Sequence, residues 1–237
     1  KAPSNAPFAV ANIGRKELET FGRTGQELPF LFARTPGILA WSENGVGTGT
    51  TSMRVRGAGA TRMNITLDGV SLNSPEDQCV FWANMNSYAT LLGNVQIQRG
   101  VGTSTNGDGA FGGTVALTTK APSLTPMLEV SGAYGSYNTY NVGGNFSTGL
   151  LLNHLIFEGA YHHTGTDGFI HGTAGNSGSY YGGLTWLNND GTLKLSYKNI
   201  GNYEKTGQAW SGVTAGNGDY SLNSYTGIKT YRDMYKA

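Results

Sequence analysis

Residues 106–119 read NGDGAFGGTVALTT, which sets Gly107, Gly109 and Gly112 at the spacing G-x-G-x-x-G. Glycines so spaced let a backbone close on a pyrophosphate, provided a helix begins there to offer its free N–H groups. That condition fails. The glycines lead into TVALTT, β-branched and alternating, so the loop joins a strand to a strand. Asp108 would also set a carboxylate among phosphates, and no acidic residue closes a second βαβ strand ~20 residues further on. The glycines are read instead as tight turns and close packing, with at least one of Gly107, Gly109, Gly112 and Gly113 at positive φ.

Other candidates for chemistry are few. His162 and His163 are neighbours, so on a strand they point to opposite faces and cannot easily share an ion. His171 falls in a loop. The single cysteine, Cys79, excludes an internal disulfide and any multi-cysteine zinc site. No Ser/His/Asp set and no carboxylate pair stands at a useful spacing, so the sequence predicts no enzyme, no cofactor and no metal. Lys plus Arg number 16 against 15 Asp plus Glu, a balance that gives no sign of a nucleic-acid partner. Two polar loops are candidates for contact with a ligand. Residues 42–51 carry Ser42, Glu43 and Asn44; residues 72–86 set Phe81 and Trp82 among Asn73, Glu76 and Asp77. Aromatics beside hydrogen-bonding groups suit an amphipathic ligand, and they suit packing equally well.

The elements that hold these residues divide the chain in two. With 37 glycines in 237 residues, roughly twice the usual share, the composition favours short strands and tight turns. Residues 1–121 read as a mixed α+β unit. RKELETF and LPFLFAR are short helices, the second with Pro29 in its first turn, and TPGI from Thr35 stops it. MRVRG, NITLDGV, NVQIQRG and TVALTTK are strands. NAPFAVANIG, near residues 5–14, is either a first strand or a segment offered to a partner's sheet.

From residue 122 the pattern changes to steady alternation, with Pro122 and Pro126 at the change. Leu128 and Val130 oppose Glu129; Val142 and Phe146 oppose Asn145; Leu155 and Phe157 oppose Glu158, although Ile156 interrupts. Tyr180, Leu184 and Trp186 share a face, and Leu193 and Leu195 oppose Lys194. Turns alternate between short ones, STGLLLN and LNNDGT, and longer polar ones, GTDGFIHGTAGNSG and the stretch after Lys205. Alternation, unequal loops and aromatic segment ends form a transmembrane β-barrel pattern; a soluble antiparallel sandwich alternates too.

In combination these pieces resemble a TonB-dependent outer-membrane transporter. PGI at 36–38 precedes a glycine-rich loop; MRVRG carries Arg54, Arg56 and Gly57; NITLDGV carries Asp68 and Gly69. The stretch from Val95 to Lys120 resembles the closing signature of that family's plug, with Arg99, Gly100, Gly107, Gly109, Gly112 and Gly113. The resemblance implies a plug domain over 1–121 and the first part of a barrel of ~22 strands over 122–237, so the chain reads as a fragment. It further implies an outer-membrane protein of a Gram-negative bacterium. The plug would block the pore until a scarce, bulky nutrient binds outside, whether metal chelate, haem, cobalamin, glycan or peptide. TonB, with its inner-membrane energising complex, would then open the passage. NITLDG stands where the glycan-importing, lipoprotein-lidded class reads PLYVIDG, which favours the general class, with a surface lipoprotein as an optional partner. A signalling receptor of the same fold and a secreted glycine-rich adhesin are the rival functions. Within the family's architecture, Arg54, Arg56 and Arg99 are expected to pair with Glu129 or Glu158 on the barrel wall.

Overall fold

The computed structural model describes residues 9–100 and 111–207. Gly107, Gly109 and the beginning of the 5–14 segment lie outside them. The remainder of that segment is β1, Ala9–Gly14, paired antiparallel with β6, Leu92–Arg99. This is the edge of a five-stranded sheet ordered β1-β6-β7-β4-β5, where β4 is Met63–Leu67, β5 is Val70–Ser71 and β7 is Gly113–Thr119. Helix α1, Arg15–Gly22, and helix α2, Leu28–Phe32, with Pro29 in its first turn, close over the sheet. Their buried Leu18, Phe21, Leu31 and Phe32 meet Ile65, Val95, Ile97, Val115 and Leu117 in one apolar core. Each such side chain contributes about 1.5–3 kcal/mol of transfer free energy. A second hairpin, β2 at Ile38–Ser42 with β3 at Thr51–Val55, flanks the core. Its first strand, ILAWS, lacks clean alternation and was not predicted from the sequence.

The second half is a single antiparallel sheet in chain order: β8 (Met127–Tyr134), β9 (Tyr140–Ser147), β10 (Leu155–Thr166), β11 (Gly175–Leu187) and β12 (Lys194–Thr206). Its faces are inverted relative to a soluble domain. The side turned toward the first half buries Asn141, Ser147, His162, Thr164, Ser177, Ser179 and Thr185. The side turned away exposes Leu128 (79%), Val130 (80%), Val142, Phe146, Phe157, Leu184, Leu193 and Leu195. A sandwich would bury that second set. Ile156, which breaks the alternation, faces inward and is 1% exposed.

The expected contrast between short and long turns is absent from the four described turns, and the stretch after Lys205 runs past residue 207, outside the described residues. Residues 135–139 and 167–174 at one end of the sheet are about as long as 148–154 and 188–193 at the other. Much of GTDGFIHGTAGNSG is strand, extending β10 and β11 to 12 and 13 residues. That exceeds the ~9–11 residues a tilted strand needs to cross a bilayer. No helix among the described residues is long and apolar enough to cross a membrane, which says nothing of strands.

Candidate functional site: the junction of plug and wall

The first half meets the polar face of the sheet through a few well-defined contacts. Asp68 and Gly69 form the tight turn between β4 and β5. Both have positive φ, 49° and 87°, the backbone of a two-residue type I′ turn, which Asp-Gly favours. The turn aims the Asp68 carboxylate sideways. Its Oδ1 accepts the Thr119 N–H at 2.9 Å; its Oδ2 accepts the Thr119 hydroxyl at 2.7 Å and the Lys198 ammonium of β12 at 2.8 Å. Burial works to raise the Asp68 pKa, but the Lys198 and Thr119 hydrogen bonds outweigh it and hold the carboxyl below its ordinary value. A second tie joins Arg23, just beyond α1, to Glu129 of β8 at 3.5 Å. Beside it, Glu19 gathers Arg15 at 2.6 Å and Lys120 at 3.2 Å. Burial raises the Glu19 pKa, but the Arg15 and Lys120 hydrogen bonds outweigh it and lower it. These pairs are partly exposed, so each adds only ~0–1 kcal/mol. They set register and can be exchanged for water.

The arginine–carboxylate pairing expected from the sequence is therefore corrected. Arg99 donates to the Pro36 carbonyl at 2.6 Å, Arg54 lies over the Trp41 ring at 6.0 Å, and Arg56 sits at φ 50° beside Gly37. All three belong to the β2–β3 side, so Glu129 takes Arg23 instead, and Glu158 accepts the Ser123 N–H at 3.1 Å. Lys198 was legible as inward by alternation; its partner was not, because Asp68 lies 130 residues away.

The loop at 42–51 lies against the upper ends of β10–β12. Asn44 is buried: its amide donates to the Thr48 carbonyl and hydroxyl, and its Oδ1 accepts the Val46 N–H at 3.1 Å. Ser42 accepts the Gly47 N–H at 3.0 Å. These residues knot the loop internally and leave Asn44 no free polar face for a ligand. The Asn44 carbonyl accepts the Phe169 N–H from the β10–β11 turn at 2.9 Å, and Phe169 packs edge-on against Tyr137. Beneath the loop, Glu27 is 1% exposed and accepts the Gly49 N–H at 2.6 Å.

Burial pushes the Glu27 carboxyl up to about 7; hydrogen bonds from Thr51 and Gly49 pull it down, and the charge of Glu204 on β12 adds to the rise. A raised folded value means the folded state holds the proton more tightly. Glu27's stabilisation is complete below its ordinary 4.5 and is lost as pH rises through about 7. The loop is expected to be more open to hydrogen exchange at pH 8 than at pH 5.5, after correction for intrinsic rates. Glu27→Gln should flatten that difference; an unchanged slope in the variant would assign it elsewhere.

In the 72–86 loop the aromatics separate. Trp82 is 3% exposed and meets Phe32 edge-on in the core, so it is a packing residue, while Phe81 is exposed along with Glu76 and Asp77. Asn73 is occupied too: it accepts the Ile65 N–H and donates to the Met63 and Gln78 carbonyls. Among the signature glycines, Gly57 and Gly100 have φ 82° and 86°. Gly113 has φ 156°, and a Cβ there would stand 2.5 Å from the Gln98 carbonyl oxygen; at Gly112 it would meet the Ala58 Cβ at 2.5 Å. The close neighbours of these two glycines belong to the first half itself, not to the wall. Among the described residues no three His, Cys, Asp or Glu converge on a metal position.

The family model described as "TonB-dependent Receptor Plug Domain" matches residues 2–114. Solved structures share the fold across most of the chain. The siderophore receptor PirA from Acinetobacter baumannii is 17% identical, with TM-score 0.66, over 93% of this chain and 35% of that one. The pyoverdine receptor FpvA from Pseudomonas aeruginosa, bound to pyoverdine, is 20% identical, with TM-score 0.68, over 91% and 31%. The copper transporter OprC is 15% identical, with TM-score 0.65, over 87% and 33%. The chain thus spans about a third of the length of the solved receptors it matches.

Proposed function

From a chain that joins a TonB-dependent receptor plug domain to the opening strands of that fold's barrel, we infer the gate-bearing part of an active importer in a Gram-negative outer membrane. One observation carries the reading. The sheet is apolar on the face turned from the plug and polar on the face turned toward it, as a wall between lipid and a filled aqueous lumen must be. The plug is held to that wall by exchangeable ties, chiefly Asp68 to Lys198 and Arg23 to Glu129. Many weak polar contacts let a domain seal a pore and still be moved by an energised partner, TonB with its inner-membrane complex. The knotted loop at 42–51 is held against the β10–β11 turn through Phe169, which supports reading it as a relay for a ligand arriving from that end. Receptors for metal chelates are among the structures most like this chain, and a ferric siderophore or another metal chelate is the cargo this reading favours.

The test is to tether the gate. In the whole receptor, Asp68→Cys and Lys198→Cys joined by a short, reducible cross-linker should leave chelate binding intact. Energised uptake should fall about tenfold or more and recover on reduction. Uptake at full rate through the tethered receptor would show that the plug does not have to leave this wall.

A further inference from the structure

The loop at 42–51 covers a small polar cavity where it meets the wall. Register sets Asn141, Thr164, Ser177 and Glu204 on one level of β9–β12, with Thr206 one step nearer the β10–β11 turn on the same face. Across from them lies Gly49, at φ 67°. Its N–H donates to Glu27 Oε1 at 2.6 Å, and the side on which other residues carry a side chain faces the wall. A Cβ there would stand 2.6 Å from Thr206 Oγ1 and 3.3 Å from Glu204 Oε1. The space that this glycine keeps open is a cavity of about 10 Å³, lined by Thr48, Gly49, Thr164, Ser177, Glu204 and Thr206. It has room for one atom the size of a water oxygen.

The oxygens around it lack positive charge. Glu27 is 1% exposed and its Oε2 accepts no hydrogen bond; nor does Glu204 Oε1, which is also shut off from solvent. Asn141, again 1% exposed, donates its amide to Thr164 Oγ1 at 2.7 Å and leaves its own Oδ1 unpartnered. All three orphan atoms are acceptors. Among the described residues no lysine or arginine pairs with either glutamate, and Lys205 stands on the opposite, exposed face of β12. A buried acceptor left bare is costly, and a bare carboxylate more so. One water donates to at most two of these oxygens and leaves both charges standing.

We propose that the cavity is a calcium site that clasps the 42–51 loop to the wall. Glu204, Thr206 and the neighbouring wall hydroxyls are its ligands, and Glu27 supplies the second negative charge from behind Gly49. Hard oxygen donors select calcium over the softer metals. Magnesium is smaller and gives up its water reluctantly, so a space for one atom excludes it. Two carboxylates balance one divalent ion, where sodium would balance only one of them. No spacing in the sequence marks such a site, because Glu27 and Glu204 stand on different halves of the chain. An ion held by both halves favours the seated plug, whatever cargo the receptor carries.

The experiment uses the whole receptor in mild detergent, stripped of metal with a chelator and titrated with calcium chloride at fixed pH. Hydrogen exchange is followed in residues 42–51. In the wild type calcium should slow that exchange about tenfold, half-maximally at roughly 0.1–1 mM, the range of extracellular sites. Magnesium or sodium at the same concentration should leave it unchanged. Glu204→Gln keeps the shape without the charge and should need at least about tenfold more calcium, with heat-modifiable migration normal. Thr206→Val, which removes one ligand and keeps both charges, should shift the titration in the same direction. Exchange in the wild type that ignores calcium would mean that water fills the cavity, and would overturn the proposal. So would an equal response to magnesium or sodium, or a calcium response of wild-type strength in both variants, which would place the ion elsewhere. Should Glu204→Gln fail to migrate as a folded barrel, Thr206→Val decides by the same readout.

Discussion

Replacing Gly113 by valine is expected to prevent the plug from closing. The residue opens β7 opposite Arg99 of β6, at φ 156°, and a Cβ would stand 2.5 Å from the Gln98 carbonyl oxygen. That oxygen is backbone in the middle of the sheet and cannot swing aside as a flexible side chain would. Overpacking costs about 1–3 kcal/mol where neighbours can adjust, and the backbone angle disfavours any side chain in addition. The combined loss is roughly 3 kcal/mol or more, a large share of a small domain's stability. In the whole receptor the outcome should be a barrel that assembles with an unseated plug, read as sensitivity to large antibiotics and to protease within residues 9–120. A Gly113→Val receptor with normal exclusion and protease resistance would mean that β7 can pair with β6 along another path. Gly57→Ala is the useful contrast, because a side chain there meets nothing within 4 Å and only the backbone angle is strained.

Val130→Arg should be nearly as damaging, for a reason unconnected with packing. Val130 is 80% exposed and lies opposite Gly144, which lies opposite Tyr161. That puts it midway between Trp186 near one rim and Tyr134 near the other. An arginine on a lipid-facing strand position near the bilayer midplane costs ~2–4 kcal/mol, falling to ~0–1 near the interfaces. Unfolding of the whole receptor in lipid should show a loss of that size for Val130→Arg and little change for Val130→Leu. In a sheet bathed by water, arginine at an exposed strand position would cost almost nothing. A change below about 0.5 kcal/mol would therefore remove the sheet from the membrane.

The two halves were legible in the sequence to different depths. Alternation fixed the faces of β8–β12, because a period of two leaves no freedom once one face is chosen; even Ile156, out of pattern, only marks an inward apolar contact. NITLDGV, read as one strand, instead turns at Asp68 and Gly69 between β4 and β5, although Asp-Gly is a local turn signal. What could not be read were pairings set by the fold. Asp68 finds Lys198 across 130 residues, and Arg23 finds Glu129 across 106. No spacing rule reaches that far, and the conspicuous arginines of MRVRG and QRG drew attention away from them. Trp82 failed for a different reason. An aromatic in a polar loop has the same local signature whether its ring fills a core or meets a ligand, and only the position of Phe32 decides. Glu27 was silent because a lone glutamate carries no mark of the loop that later covers it.

The edge position of β1 has a mechanical consequence. It contacts the rest of its sheet along one side only, through six register pairs running from Ala9 opposite Arg99 to Gly14 opposite Asn94. A load applied ahead of Ala9 and directed away from β6 peels these pairs one after another, so the resisting force at any instant is that of a single rung. The same load directed along the strand strains all six rungs together. The tether is therefore soft in one direction and stiff in the other, and the angle of a tug decides whether β1 alone gives way or the sheet behind it is dragged along.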